Sequence, residues 1–250
     1  MDIKNRTAFV VGGTSGIGLG LARRFVEAGG TVVVGGRSTA RVEDLETVAV
    51  DVTDAESVAR ARDEVLARHP ELDTVVTMSG VMLAEDLRDP AHIEQAETTV
   101  TVNLLGTIRV IDAFTPHLVG RGTGTIMTVS SGIGFLPFPL WPTYGATKAG
   151  VHSYTESLRA QLKGTGVEVT ELVPPAVATT EDAKRLNPAA LDLGPFLDEA
   201  LSLLSADPTP REVVVEAAQR LRWAEKNGTY AELLEARSQA LANLPGRTPE

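Results

Sequence analysis

The chain has 250 residues, 43% hydrophobic and 22% charged, a composition that describes one globular domain rather than a disordered chain or a repeat array. Its 23 Lys and Arg stand against 33 Asp and Glu, and the net charge of -10 repels phosphate backbones and anionic lipid, so neither nucleic acid nor a membrane is an expected partner. The absence of cysteine excludes disulfides and thiolate chemistry. Met1 to Arg6 lead straight into a short apolar strand, and no apolar run approaches the roughly 20 residues of a membrane helix. A cytoplasmic protein is expected.

The first strand is predicted over 7–11, followed by a glycine-rich turn and a helix that sets Leu19, Ala22, Phe25 and Val26 on one face. Further strands are predicted at 31–34, 47–50, 72–77, 125–129 and 167–172. Helices lie between most of them: 55–68, capped by Asp54 and closed by Pro70, then 93–117 and 144–162. From Pro195 onward two or three helices are expected, with a boundary at Asp207, Pro208 and Pro210. About 186–208 reads as a substrate-loop lid, and 241–250 as a frayed tail. The whole of 1–250 is expected to be a single domain.

Strands that alternate with helices predict a doubly wound, mostly parallel α/β sheet covered on both faces, because right-handed crossovers return each strand in the same direction. Ligands bind such sheets outside the carboxyl ends of the strands. The loops at 12–18, 35–41, 78–84, 130–143 and 174–195 are therefore expected to form the site.

Gly12, Gly16 and Gly18, with Gly13, Thr14 and Ser15 between them, make a GxxxGxG turn between strand and helix. Such a turn brings backbone amides and a positive helix end to a pyrophosphate, although it can also merely pack strand on helix. An acidic residue closing the second strand would select NAD; here Gly35 and Gly36 are followed by Arg37 and Ser38. A guanidinium there suits a 2'-phosphate, which favours NADP(H) over NAD(H), with Arg41 a second candidate. A solvated surface arginine is the alternative. Asp51 is a candidate for the adenine amino group or for capping the next turn.

Tyr144 and Lys148 are four residues apart at the start of a predicted helix, hence on one face. A phenol is a poor base at neutral pH, but an adjacent ammonium and a nicotinium charge would lower its pKa and let it shuttle a proton. An isolated YxxxK is more often a half-buried aromatic beside a surface lysine; its neighbours give this one meaning.

The VGGTSGIG loop, Asn103, Ser131 thirteen residues before Tyr144, and Lys148 fall in an order that resembles the classical short-chain dehydrogenase/reductase family, strongly over about 5–180 and more weakly to about 240. VMLAEDL, NLLGTIRV, PTYGATKAG and VHSYTESLRAQL look like its DltE-type oxidoreductases. The resemblance implies a Rossmann-type fold and NADP(H)-dependent hydride transfer between nicotinamide and a carbonyl or secondary alcohol. By the same resemblance, Ser131 hydrogen-bonds the substrate oxygen and Tyr144 exchanges the proton. Lys148 holds the nicotinamide ribose and tunes the tyrosine, while Asn103 holds a helix distortion and a water that links Lys148 to solvent. An asparagine bonding its own helix backbone is the plainer reading of Asn103. Ser130 is set aside because strand alternation turns it away from Ser131.

The expected cofactor contacts are Gly12, Thr14, Ser15, Gly16, Ile17, Gly18, Arg37, Ser38, Asp51, Val52, Gly80, Asn103, Tyr144, Lys148, Pro174, Val177 and Thr179. The substrate pocket is expected from Val81, Met82, Ile133, Phe135, Trp141 and Pro175, with Leu136, Phe138 and Val177 near them and Leu191, Leu193, Phe196 and Leu197 in the lid. For each of these, core or subunit interface is an equal alternative. The four histidines have no metal-site spacing. A homo-oligomer, dimer or tetramer, follows from the resemblance.

The chain departs from the family pattern at Val11, at Thr77-Met78-Ser79-Gly80, at Pro174-Pro175, and in lacking a glycine-rich final strand, which a helical tail is expected to replace. The altered Thr77–Gly80 segment motivates an alternative reading as a catalytically weak NADP(H)-binding sensor or scaffold. An extended-type sugar epimerase fits neither the glycine spacing nor the length.

Overall fold

A computed structural model describes residues 1, 3–40 and 42–244, so Arg41 and the end of the expected tail lie outside the described residues. Its first unit is β1 (Thr7–Val11), α1 (Gly16–Glu27), β2 (Thr31–Gly36) and β3 (Glu46–Ala49), followed by α2 (Ala55–Arg68) and β4 (Thr74–Thr77). The second comprises α3 (Ile93–Val100), a π turn (Thr101–Leu105), α4 (Gly106–Arg121), β5 (Gly124–Val129), α5 (Pro142–Gln161) and β6 (Val167–Val173). Beyond it come β7 (Val177–Ala178), α6 (Glu181–Leu186), β8 (Leu191–Asp192), α7 (Leu193–Leu204), β9 (Glu212–Val214), α8 (Glu216–Arg222) and α9 (Tyr230–Ser238).

Seven strands form one parallel sheet in the order β3-β2-β1-β4-β5-β6-β9. β1 is apolar and buried throughout because both of its faces are covered. Alternation sends Ala8 and Val10 toward α1 and α7, where Leu21, Phe25, Phe196 and Leu204 pack. Phe9 and Val11 go to the opposite layer, with Val65, Phe114 and Leu158 of α2, α4 and α5. The order reverses between β1 and β4, which opens a crevice at the carboxyl ends of these strands.

The expected strands and helices are present, and Asp54 caps α2 by accepting from the Glu56 amide at 2.9 Å. The segment after Pro195 needs correction in two respects. A seventh strand, β9, pairs with β6 where only helices were expected; three residues give too short a run for periodicity to reveal. Part of the range expected to be a lid is core: Phe196 and Leu197 are buried against α1, so closely that a Cβ on Gly20 would lie 2.6 Å from Leu197 Cδ1. The long predicted helix from Ile93 is divided by the π turn, and Gln239–Asn243 forms a short 3₁₀ turn at the start of the expected tail.

Gly12 joins β1 to the crevice with φ +87, and a Cβ there would stand 2.5 Å from the Ser79 amide nitrogen. Left-handed backbone costs an L-residue about 1–2 kcal/mol before that backbone clash is added. Gly12→Ala is expected to lower Tm by at least about 5 °C in calorimetry, at the few degrees per kcal/mol usual for this size. An unchanged Tm would mean that the loop relaxes freely.

Candidate active site

The crevice is a cavity of about 740 Å³ running from the glycine turn to the start of α5. At one end, α1 begins at Gly16 with Ser15 as N-cap, and Ser15 makes no side-chain cap bond, so the first-turn amides are not taken up by it. Gly18 lets the helix press on the turn, for a Cβ there would lie 2.3 Å from the Gly12 carbonyl oxygen. Arg37, exposed at the end of β2, lines this wall with Asp51 and Val52. Asp51 Oδ1 accepts from the Thr53 amide at 2.9 Å and the Thr53 hydroxyl at 2.7 Å. These bonds, with a smaller contribution from Arg37, hold its carboxyl below the ordinary range. Asp51 thus caps its turn, one of the two roles anticipated for it.

At the other end, β5 delivers Ser131 and α5 delivers Tyr144 and Lys148. Ser131 is extended and its Oγ accepts from the Ile133 amide at 3.3 Å. Tyr144 is partly buried, and desolvation raises its pKa; a hydrogen bond with Ser131 acts the other way. Desolvation sets this direction; the lowering expected above belongs to the ammonium and a nicotinium charge acting together, and Lys148 Nζ stands 5.7 Å from the ring centroid. Lys148 is 6% exposed and donates to the Val129 carbonyl at 2.8 Å. Burial pulls it down to about 8, with Glu171 pulling it up.

The start of α5 is fixed from outside. Pro142 opens the helix, and buried Glu85 accepts from the Thr143 amide at 3.1 Å and the Thr143 hydroxyl at 2.8 Å, adjacent to Tyr144. His92 bonds the same carboxylate at 3.2 Å. Nothing in the spacing of Glu85 announces this role. It is one acidic residue in a loop.

Asn103 lies in the π turn, fully buried. Its carboxamide accepts from the Val81 amide at 2.8 Å and donates to the Val81 carbonyl at 2.9 Å, with Thr147 Oγ1 at 3.3 Å. It therefore holds the segment after β4 rather than its own helix backbone. A Cβ on Gly80 would meet Asn103 Oδ1 at 3.4 Å and Lys148 Nζ at 3.9 Å, so this segment lies against the lysine. Thr77 Oγ1 has no partner, the trace left by the altered motif.

Gly12, Thr14, Ser15, Ile17, Gly18, Arg37, Asp51, Val52, Gly80, Ser131, Tyr144, Lys148, Pro174, Val177 and Thr179 all line this one cavity, as do Val81, Met82, Ile133, Trp141 and Pro175. Gly16 faces Thr179 with φ +55. Ser38 is exposed beyond the end of β2 and does not line the cavity. Three expected pocket residues are misplaced. Phe135 stacks edge-on against His152 at 4.7 Å, Leu136 is fully buried with Ala224 and Leu233, and Phe138 packs on Trp141 at 4.7 Å. The 3₁₀ turn Gly132–Gly134 carries the chain back under α8 and α9, so apolar character there serves the core. Ala183, Leu186, Asn187 and Ala190 line the cavity from the 174–195 segment expected to form the site, although none of the four was singled out as a site residue. Their residue types carry no functional signal. Among the described residues no cluster of His, Asp and Glu is arranged to hold a metal, and no helix is long and apolar enough to cross a membrane.

Residues 6–190 match the short chain dehydrogenase family model, and the chain belongs to that family of oxidoreductases. It is similar to the uncharacterized oxidoreductase DltE of Bacillus subtilis (strain 168), 34% identical over 189 residues that span 72% of this chain and 74% of that protein. It is likewise similar to the NADP-dependent 3-hydroxy acid dehydrogenase YdfG of Salmonella typhi, 33% identical over 180 residues, 69% of this chain and 73% of that one. A short chain dehydrogenase from Burkholderia cenocepacia J2315, solved in complex with NADP, superposes with a TM-score of 0.81 and 25% identity, covering 94% of this chain and 99% of that one.

Proposed function

We propose that the protein is an NADP(H)-dependent reductase of uncharged ketones or aldehydes, working in the reverse direction on secondary alcohols. The observation that carries this reading is the meeting of Ser131, Tyr144 and Lys148 in the cavity that begins at the glycine turn. The first-turn amides of α1, which the Ser15 side chain does not cap, and the glycine turn suit a pyrophosphate, and Arg37 suits a 2'-phosphate. NADPH, when bound, supplies the hydride.

The chain's own residues do the rest. The Ser131 and Tyr144 hydroxyls both donate to the carbonyl oxygen and stabilise the charge that develops there. Tyr144, whose pKa desolvation raises, gives its proton to that oxygen, and the Lys148 ammonium beside it favours the phenolate left behind. Arg37 and Lys148 are the only basic residues lining the cavity among the described residues, and neither stands on the wall of Val81, Met82, Ile133 and Trp141. That wall favours an uncharged substrate over an acid. Leu186, 79% exposed at the end of α6, supports closure of that helix over bound substrate.

Exposed Ile93, Val100 and Leu105 along α3 and the π turn support a homo-oligomer, and the cysteine-free sequence supports a cytoplasmic location. The alternative of a nucleotide-binding protein without turnover draws on Thr77–Gly80. The hold of Asn103 on Val81, with Gly80 beside Lys148, favours the enzyme.

Tyr144→Phe is expected to lower kcat for ketone reduction by about 10²–10⁴-fold while NADPH still binds; full turnover in this variant would refute the proton role. Arg37→Ala is expected to weaken NADPH about 10–100-fold in a fluorescence titration and NADH hardly at all, the loss of charge-assisted hydrogen bonds to one phosphate. Equal weakening of both would refute the cofactor assignment.

A further inference from the structure

The face of β6 turned toward α5 is apolar at Val167 and Val169 and then carries Glu171, which is 0% exposed. In register beside it are Thr128 on β5 and Glu212 on β9. One carboxylate oxygen of Glu171 accepts from His152 Nδ1 at 2.8 Å; the other is buried without a hydrogen-bond partner. Along α5, Lys148, His152 and Thr155 share the face toward the sheet at the spacing of successive turns. Lys148 reaches the Val129 carbonyl, Thr155 bonds Thr128 at 2.8 Å, and His152 meets the carboxylate between them.

Val129, whose carbonyl receives the Lys148 bond, pairs with Leu172, the residue after Glu171, so ammonium and carboxylate meet the sheet at neighbouring positions. Glu212 is satisfied by Arg222 through bonds of 2.5 and 2.8 Å, and that guanidinium lies 4.2 Å from both the Phe135 and Trp223 rings. His152 is faced by Glu171 from β6, Glu212 from β9 and Arg222 from α8. Lys148 is faced by Tyr144 from its own helix and Glu171 from β6. On the far side, His152 opens on a second cavity of about 590 Å³ lined also by Glu156, Arg211, Glu212, Arg222 and Trp223.

The geometry points to Glu171 as a positioning residue for the reaction: its buried carboxylate, held by His152, is the counter-charge that keeps Lys148 an ammonium beneath the cavity. The inference rests on the roles of Tyr144 and Lys148 given above. An anion beside a lysine favours its charged form, opposing the burial that brings Lys148 down to about 8. Replacing the carboxylate by a neutral amide removes that support, so the lysine loses its proton at a lower pH. Reduction then fails earlier on the alkaline side.

Glu171→Gln preserves the side-chain shape and an acceptor for His152, and two readouts follow it. In cofactor-free protein, NMR of ¹³Cε-labelled lysine is expected to place the Lys148 midpoint about one pH unit below wild type. In ketone reduction, the alkaline limb of kcat/KM moves down by the same interval, while the rate below pH 7 stays within about threefold. An unmoved midpoint, or an equal loss of rate at every pH, overturns the proposal. Should Glu171→Gln fail to fold, Glu171→Asp, which withdraws the charge by one methylene, is expected to show a smaller downward shift; no shift overturns the proposal equally. The lysine midpoint does not depend on turnover, so its outcome is separate from that of Tyr144→Phe.

Discussion

The Lys148 ammonium is held almost out of water, and the surroundings of the cavity are arranged around that constraint. A fall from the ordinary 10.5 to about 8 corresponds to roughly 3 kcal/mol against the charged form, at about 1.4 kcal/mol per pH unit. That figure is what remains after the charge of Glu171 has opposed burial; the Val129 carbonyl accepts the ammonium's hydrogen bond and the Tyr144 ring stands close by. Desolvation acts in the opposite sense on Tyr144, where it favours the protonated phenol. A neutral phenol beside a buried ammonium is a proton donor whose conjugate base is already provided for, which suits reduction of a carbonyl.

Such a pair is useful only if α5 is placed accurately over the carboxyl ends of β4 and β5, and several remote contacts secure it. Glu85 pins the first turn through Thr143, and Thr155 pins the helix to β5 through Thr128. Asn103 secures the facing segment by holding Val81 at both amide and carbonyl, from a π turn that interrupts an otherwise continuous helix. Each of these groups is buried and hydrogen-bonded, so each specifies one arrangement rather than several.

Most of the architecture was legible because its signals are local. Short β-branched runs separated by amphipathic helices define a parallel sheet, and the sheet order then places the loops at one edge. Gly12, Gly18, Ser131, Tyr144 and Lys148 were legible as a set because their residue types are demanding and their order is fixed. Contacts made across the fold were not. β9 is three residues long, and its pairing with β6 depends on the intervening 174–211 segment closing back on the sheet. Phe135 and Leu136 carry the same apolar character whether they line a cavity or fill a core, and packing across the fold decides which. Glu85 and Glu171 look like any surface acid until the fold removes them from water.

The most direct measurement of the central claim follows deuterium from NADPH labelled at C4 of the nicotinamide, using both C4 epimers, to an uncharged ketone. Mass spectrometry of the alcohol is expected to find one deuterium, at the carbinol carbon, from one epimer and none from the other. NADPH bound tightly, with no deuterium delivered across a panel of uncharged ketones and aldehydes, would contradict the assignment of this cavity to carbonyl reduction.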